Sequence, residues 1–215
     1  MVPHSLTARR ADELAGPQLD AVRAIYEDAF PARHRVPFSG LAQAGPLDAM
    51  HVGMDGDSPV GFAAVKLLDV VSWVFLRYFA VDAARRRERL GRGMWELLLG
   101  CLARDGWPDP VCFEVEDPAE AAADPPERMT RQGRVRFWES CGAVRLPVPG
   151  YLMPGIAGPT PPEPVLLMAP APVAARTSTA ELAGLVRAIY AQRYGLPPQD
   201  PLVRRALESI SGHAG

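Results

Sequence analysis

Tyr78-Phe79-Ala80-Val81-Asp82 runs directly into Ala83-Ala84-Arg85-Arg86-Arg87-Glu88-Arg89-Leu90-Gly91-Arg92-Gly93-Met94-Trp95. The first five residues close an apolar, β-branched and aromatic run that reads as a buried strand. The arginine-rich loop, Ala83 to Gly93, then opens a helix whose apolar stripe is Met94, Leu97, Leu98, Cys101 and Leu102. The first turn of a helix presents backbone N–H groups without intrahelical partners and the positive end of the helix dipole. Such an end takes up phosphate. Gly91 and Gly93 allow close backbone approach. Arg85, Arg86, Arg87, Arg89 and Arg92 add guanidinium groups that can fork onto phosphate oxygens. The segment therefore reads as a pyrophosphate site, and the competing reading is a solvated basic turn before a glycine-rich helix start. Two rival phosphate motifs fit worse. A dinucleotide fingerprint needs GxGxxG directly after the strand, and a P-loop needs a lysine that is absent here.

Working outward, Val22, Ile25, Tyr26, Ala29 and Phe30 keep the helical spacing until Pro31 stops them. The polar link Ala32 to Pro46 has room for a second short helix. Ala49 to Met54 and Val60 to Leu68 read as strands joined by Asp55-Gly56-Asp57, and Val70 to Val81 as a third strand. Beyond the arginine-rich helix, which Gly106 ends, Val111 to Glu116 alternates as a strand. Its Cys112, Glu114 and Glu116 share one face. Arg128 to Cys141 reads as a helix closed by Gly142. Val144 to Leu152 and Val165 to Ala169 read as strands separated by the Pro/Gly-rich stretch Pro154 to Pro164. After Pro170-Ala171-Pro172 the pattern is helical: Ser178 and Glu181 form a capping box, and Leu182, Leu185, Val186, Ile189 and Tyr190 follow the helical spacing up to Pro197-Pro198. Strand–helix–strand in the middle of the chain predicts an α/β (α+β) fold, a mixed sheet with helices on both faces.

The chain has 215 residues, 48% hydrophobic and 22% charged, with a formal net charge of −2. This excludes a disordered chain and argues against a nucleic-acid partner, because phosphate neutralisation needs a basic surface. No apolar run is long enough to span a bilayer, Met1 to Arg10 lacks the apolar core of a signal peptide, and Cys101, Cys112 and Cys141 are too scattered for a zinc site or a disulfide framework. A cytoplasmic protein without a membrane partner or bound metal is expected. Of the 23 Lys and Arg residues only Lys66 is lysine, and asparagine is absent. That imbalance fits a GC-rich genome. Codon usage does not explain why five arginines gather between Arg85 and Arg92.

The Val81 to Gly93 segment resembles the acetyl-CoA-binding motif of the GCN5-related N-acetyltransferase (GNAT) superfamily: a basic residue or glutamine, two residues, glycine, one residue, then glycine or alanine. Counted without gaps from Val81-Asp82, Arg86 falls on the leading basic position, Arg89 on the first glycine and Gly91 on the second. Counted back from Gly91 and Gly93 as the pair, Glu88 takes the basic position. The gapless register keeps the strand-to-loop spacing and the basic residue. Phe137-Trp138-Glu139-Ser140-Cys141-Gly142-Ala143 resembles the family's Phe-Tyr-Glu-x-x-Gly-Phe signature, and Phe30 to Arg35 resembles the end of its first helix. The order of elements over 1 to about 170 matches too. The resemblance implies a mostly antiparallel, twisted mixed sheet flanked by helices. Residues 1–172 would form the acyl-CoA N-acyltransferase domain, with 173–215 an extra helical extension packed on it.

It further implies acetyl-CoA or another acyl-CoA as co-substrate, lying between splayed fourth and fifth strands. The pantetheine would pair with the backbone of Phe79, Ala80 and Val81. The diphosphate would sit on Arg86, Arg87, Arg89, Leu90, Gly91, Arg92 and Gly93. A small-molecule amine would attack the thioester directly, and a carboxylate would take its proton. Glu114 and Glu116 are the candidates; the competing reading for each is a surface or salt-bridged carboxylate, with Arg134 or Arg136 as partner. Trp138 stands where the family carries its general-acid tyrosine. Tyr151, Ser140 and Cys141 are the possible substitutes, and Trp138 is expected to pack against pantetheine or core. Three activities stay open: N-acyltransfer, acyl-CoA binding without transfer, and other acyl-CoA chemistry such as thioester cleavage or decarboxylation. The acceptor is expected near Pro31 to Pro46 and Pro147 to Pro164, and the protein to be a monomer or homodimer.

Overall fold

The structure, a computed structural model, describes residues 6–43, 45–108, 110–120, 124–156 and 160–211, and only the backbone of Arg86 and Arg87. The elements in chain order are β1 (Thr7–Arg10), α1 (Gly16–Ala29), α2 (Phe38–Ala42), β2 (Asp48–Asp55), β3 (Ser58–Leu68), β4 (Trp73–Val81), α3 (Leu90–Arg104), β5 (Val111–Glu116), α4 (Pro125–Ser140), β6 (Ala143–Arg145), β7 (Leu152–Met153), β8 (Glu163–Pro170), α5 (Ala171–Arg176), α6 (Thr179–Ala188) and α7 (Pro201–Ser211). The fold is mixed α/β. Its strands form an open, mostly antiparallel sheet in the order β1-β2-β3-β4-β5-β8-β6, with β7 also paired to β8. The described residues form two compact units, the first drawn from 6–67, 76–108 and 156, the second from 68–75, 110–155 and 160–211.

In the first unit, β2 and β3 pair antiparallel from Asp48↔Lys66 to Asp55↔Ser58. The turn between them works because Gly56 takes φ +58°, the left-handed conformation that hairpin turns of this length require. Helix α1 buries Val22, Ile25 and Tyr26 and ends at Phe30, before the proline that cannot continue it. Tyr26 packs edge-on against Tyr78 of β4 at 5.1 Å. The Tyr26 hydroxyl meets the backbone of Val36, donating to its carbonyl and accepting from its N–H, each at 2.9 Å, and the Tyr78 hydroxyl donates to the His34 carbonyl at 2.8 Å. Two buried tyrosines thus fasten the Ala32–Pro46 link, Tyr26 to α1 and Tyr78 to β4 of the sheet. This link holds α2 and a 3-10 turn, Ala32–His34. β3 approaches β4 so closely that a Cβ at Gly61 would lie 2.6 Å from the Ala80 carbonyl oxygen, so only glycine fits.

In the second unit, β5 pairs antiparallel with β8 from Phe113↔Met168 to Glu116↔Val165, and β6 and β7 pair with β8 further along it. A single core joins β5 and β8 to the helices after 172. It contains Cys112, Tyr151, Leu167 and Ala169 together with Leu182, Leu185, Val186, Ile189, Tyr190, Val203, Ala206 and Ile210. The expected cap of α6 is present, with the Ser178 Oγ accepting from the Glu181 N–H while the Ser178 N–H donates to the Glu181 carboxylate. The helix continues as a π-helical turn over Ile189–Arg193.

Two expectations are corrected. The third strand starts at Trp73 rather than Val70: Asp69 to Ser72 form a turn, with Ser72 at φ +53° and Val70 71% exposed. The strand expected over Val144 to Leu152 is split into β6 and β7, because Pro147 and Pro149 have no N–H to give a ladder and the chain turns between them. The helical stretch begins slightly earlier than expected, as Ala171 opens α5 with Pro172 in the first helical turn, where its missing N–H costs nothing.

Candidate active site

The first unit holds the segment that opened the sequence reading. Phe79, Ala80 and Val81 are the last three residues of β4, with Ala80 buried and the other two half-buried. The chain then departs from the expected loop. Ala83–Glu88 is a 3-10 helix, and α3 begins at Leu90, so Gly91, Arg92 and Gly93 lie in the first helical turn. The Asp82 carboxylate caps the 3-10 turn by accepting from the Ala84 N–H at 2.9 Å, and the Asp82 N–H donates to the Val60 carbonyl at 2.9 Å. The turn is thereby fixed to the β2–β3 hairpin end of the sheet.

Arg85 departs from the phosphate reading. Its guanidinium donates to Asp55 at 2.8 Å and pairs with both Glu88 oxygens, including an Nε–Oε1 contact of 2.9 Å. Glu88 and Asp55 together raise its already high pKa. It is an internal tie between the turn and β2. Arg86 and Arg87 follow it in the turn, and their side chains lie outside the described residues. Arg89 is exposed and caps α3 in the left-handed conformation, φ +58° and ψ +28°, with no side-chain cap on the helix. The first turn of α3 contains no acidic residue, so the helix dipole is not offset there by its own side chains. Leu90 is buried and Arg92 exposed. Gly93 faces Leu6, where a Cβ would come within 3.4 Å of Leu6 Cδ1.

The second unit brings together Glu114 and Tyr151, and adds a partner that no spacing in the sequence announced. The Tyr151 hydroxyl donates to Glu114 Oε1 at 2.5 Å, and the Tyr194 hydroxyl donates to Glu114 Oε2 at 2.5 Å. Burial pushes the Glu114 carboxyl above its ordinary value, while the two hydroxyls and the Arg193 guanidinium pull it back. Burial, with the Glu114 charge next, pushes the Tyr151 phenol well up. Tyr190 completes the group: its hydroxyl donates to the Leu152 carbonyl at 2.9 Å and accepts from the Leu152 N–H at 3.3 Å. The Tyr190 ring lies 5.1 Å from that of Tyr151 and 6.3 Å from that of Tyr194. Tyr190 and Tyr194 are one helical repeat apart, the only signal in the sequence that could have paired them.

The other expected residues take separate places. Glu116 accepts from Arg134 of α4 at 2.7 Å, an ion pair with side chains 26% and 43% exposed. Trp138 is buried in α4, its ring 4.2 Å from Phe113 of β5 and 4.9 Å from Phe137. The Ser140 hydroxyl donates to the Phe137 carbonyl at 2.7 Å, and Cys141 is half-buried at the end of the same helix. Of the two expected acceptor stretches, Pro31 to Pro46 is pinned by Tyr26 and Tyr78, whereas 157–159 of Pro147 to Pro164 lie outside the described residues. Among the described residues no three His, Cys, Asp or Glu converge as a metal set would, and no helix is long and apolar enough to cross a membrane.

No family model matches the sequence, and no curated protein matches it either. Solved structures do. A Bacteroides thetaiotaomicron protein described as a GNAT-family acetyltransferase aligns with a TM-score of 0.65 and 18% identity, over 82% of this chain and 91% of that one. An aminoglycoside 6'-N-acetyltransferase from Enterococcus faecium aligns with a TM-score of 0.55 and 15% identity, over 75% and 94%. An aminoglycoside 6'-N-acetyltransferase complexed with coenzyme A aligns with a TM-score of 0.52 and 16% identity, again over 75% and 94%. At these identities it is the fold alone that is shared, which in this chain is an open, mostly antiparallel eight-stranded sheet flanked by helices. The chain has the GNAT fold.

Proposed function

We propose that the chain is an acyl-CoA-dependent N-acyltransferase, with acetyl-CoA as the expected donor, acting on the amine of a small molecule by direct transfer in a ternary complex. The observation that carries the reading is Arg89. The gapless register aligns it with the first glycine of the family's CoA motif, and its φ of +58° is a conformation that glycine adopts without cost. Backbone geometry thus supports the register in which Arg86 leads the motif and Gly91 is its second glycine. In this reading Phe79, Ala80 and Val81 offer backbone groups to pantetheine. The first turn of α3, Leu90 to Gly93, takes the diphosphate with Arg86, Arg87, Arg89 and Arg92. Trp138 serves packing, and residues 1–172 form the transferase domain with 173–215 as its extension.

The amine nitrogen attacks the thioester carbonyl carbon, the C–S bond breaks, and CoA leaves as a thiolate. A thiol pKa near ~8.5 makes that departure feasible without a dedicated acid. Glu114 is the expected acceptor of the proton lost by nitrogen, with the Tyr151 hydroxyl donating to its Oε1. Glu114 is favoured over Glu116 because Glu116 is tied to Arg134.

Two measurements test this. Calorimetric titration with acetyl-CoA is expected to show binding, and a thiol reagent is expected to report CoA release only when an amine from a panel is present. Tight binding without release on any amine would support the second reading, acyl-CoA binding without transfer, which the indole at Trp138 favours by filling the general-acid position with a core side chain. Release without amine would point to other acyl-CoA chemistry, and no binding at all would end the reading. Arg89→Gly carries its own expectation. Removing a Cβ from a left-handed residue, less the added entropy of the unfolded chain, is expected to stabilise the fold by about 0.5–1 kcal/mol. CoA affinity is expected to fall, because Arg89 is one of the guanidinium groups assigned to the diphosphate. A lower urea midpoint for this variant would contradict the account of the turn.

A further inference from the structure

We propose that Tyr194, contributed by the C-terminal helical segment, is a positioning residue for Glu114, holding one carboxylate oxygen while Tyr151 holds the other. The inference rests on the proposed transferase reading for its catalytic consequence, though not for its geometry. Glu114 has two oxygens, and each accepts a phenolic O–H at 2.5 Å, Oε1 from Tyr151 and Oε2 from Tyr194. A carboxylate clamped on both oxygens keeps one orientation.

The π-helical turn Ile189–Arg193 makes the clamp possible. A π turn adds a residue to the helical repeat and often marks a functional position. Here it precedes Tyr194 immediately, and from within it Tyr190 bonds both backbone groups of Leu152, the residue after Tyr151. One stretch of the segment therefore fixes Glu114 directly and the backbone beside Tyr151 indirectly.

Several titratable and charged groups among the described residues act on Glu114 or lie beside it. Tyr151 precedes β7; Tyr190, Arg193 and Tyr194 come from the segment after α6; Cys112 lies two residues away on β5. From β8 the cross-strand partner is Leu167, which carries no charge. Tyr194 donates only to the ionised carboxylate's benefit, so removing its hydroxyl makes Glu114 hold its proton more tightly.

The test compares the full-length protein with Tyr194→Phe, Tyr190→Phe and Glu114→Gln, by two readouts. The first is the pH profile of kcat/KM for amine-dependent CoA release. Tyr194→Phe is expected to move the acidic limb upward by about one pH unit, with KM for acetyl-CoA unchanged. Glu114→Gln is expected to abolish the limb. Tyr190→Phe, which loses only the Leu152 bonds, should leave the limb in place. The second readout needs no turnover: NMR titration of the 13C-labelled Glu114 carboxyl, identified by its loss in Glu114→Gln, should show the same upward shift in Tyr194→Phe. A uniform drop in activity with an unmoved limb, or an unmoved carboxyl midpoint, overturns the proposal. If the unmodified protein releases CoA with no amine, the transferase reading fails, and the carboxyl titration still decides whether Tyr194 positions Glu114.

Discussion

A chain that ends at Pro172 is expected to lose cooperative folding altogether. Half of the buried side chains in the core around β5 and β8 come from residues after 172: Val173, Leu182, Leu185, Val186, Ala188, Ile189, Tyr190, Val203, Ala206 and Ile210. Burying a large apolar side chain is worth about 1.5–3 kcal/mol, so this set contributes on the order of 10–20 kcal/mol. Domains of ordinary size are stable by only about 5–15 kcal/mol. Truncation also strips the cover from Cys112, Leu167 and Ala169, all fully buried, and leaves apolar sheet surface facing water. Thermal melting followed by circular dichroism should give a sigmoidal transition for the full chain and none for the truncated one. Leu185→Ala supplies a graded version, expected to cost about 2–5 kcal/mol at a wholly buried site. A truncated chain melting sharply within a few degrees of the full chain would mean that the segment after 172 is an appendage rather than part of the core.

This result bears on what sequence could disclose. The resemblance to a known superfamily ends near residue 170, and the helical spacing of Leu182, Leu185, Val186, Ile189 and Tyr190 says that this face is buried without saying against what. Local features were legible because their causes are local. The Asp-Gly-Asp turn, the proline after Phe30, the alternation over Val111–Glu116 and the Ser178–Glu181 box each place bonding groups within a few residues, and each element is found at or near its expected bounds. Features decided by distant contacts were misread. Val70 and Val71 have strand propensity yet sit in a turn, because Ser72 takes a left-handed conformation and the ladder begins only at Trp73.

The candidate site divides along the same line. The strand, the basic turn and the start of α3 are contiguous, so their order could be read directly. What contiguity could not reveal was that Arg85 is spent on Asp55, 30 residues earlier, and is no free phosphate ligand. The carboxylate cluster was half visible. Glu114 and Tyr151 were each candidates, but their hydrogen bond spans 37 residues and the one to Tyr194 spans 80, separations at which no periodicity links them. Tyr190, read as one more apolar position, turns out to use its hydroxyl on Leu152. A tyrosine on an apolar stripe carries a polar tip that must find a partner when buried, and that rule was the available hint.

Replacing Glu114 should cost both stability and turnover, and alanine and glutamine separate the two. Glu114→Ala removes the acceptor of two tyrosine hydroxyls, one of them on a residue only 2% exposed, and leaves a cavity. Stranding buried donors at about 1–3 kcal/mol each predicts a loss of about 2–4 kcal/mol. Glutamine keeps one acceptor oxygen and fills the space, so its loss at low pH should be smaller. Its distinguishing effect is on pH dependence. Burial raises the folded-state carboxyl above its ordinary value of 4.5, so the folded protein binds the proton more tightly than the unfolded chain. The stability this group supports is then fully present below about 4.5 and declines as pH rises through the folded-state value. Glutamine cannot ionise. The difference between the native protein and Glu114→Gln in urea midpoint should therefore shift in glutamine's favour as pH rises from 4 towards 8, whereas parallel curves would show that burial does not hold the proton on Glu114. Turnover in the proposed transfer should fall in both variants by about 10²–10⁴-fold, the range that a positioned base supplies, with acetyl-CoA affinity unchanged because Glu114 is not among the residues assigned to CoA. A Glu114→Gln variant that keeps its rate would remove Glu114 from the proton path and leave the cluster as a structural tie between β5 and the C-terminal segment.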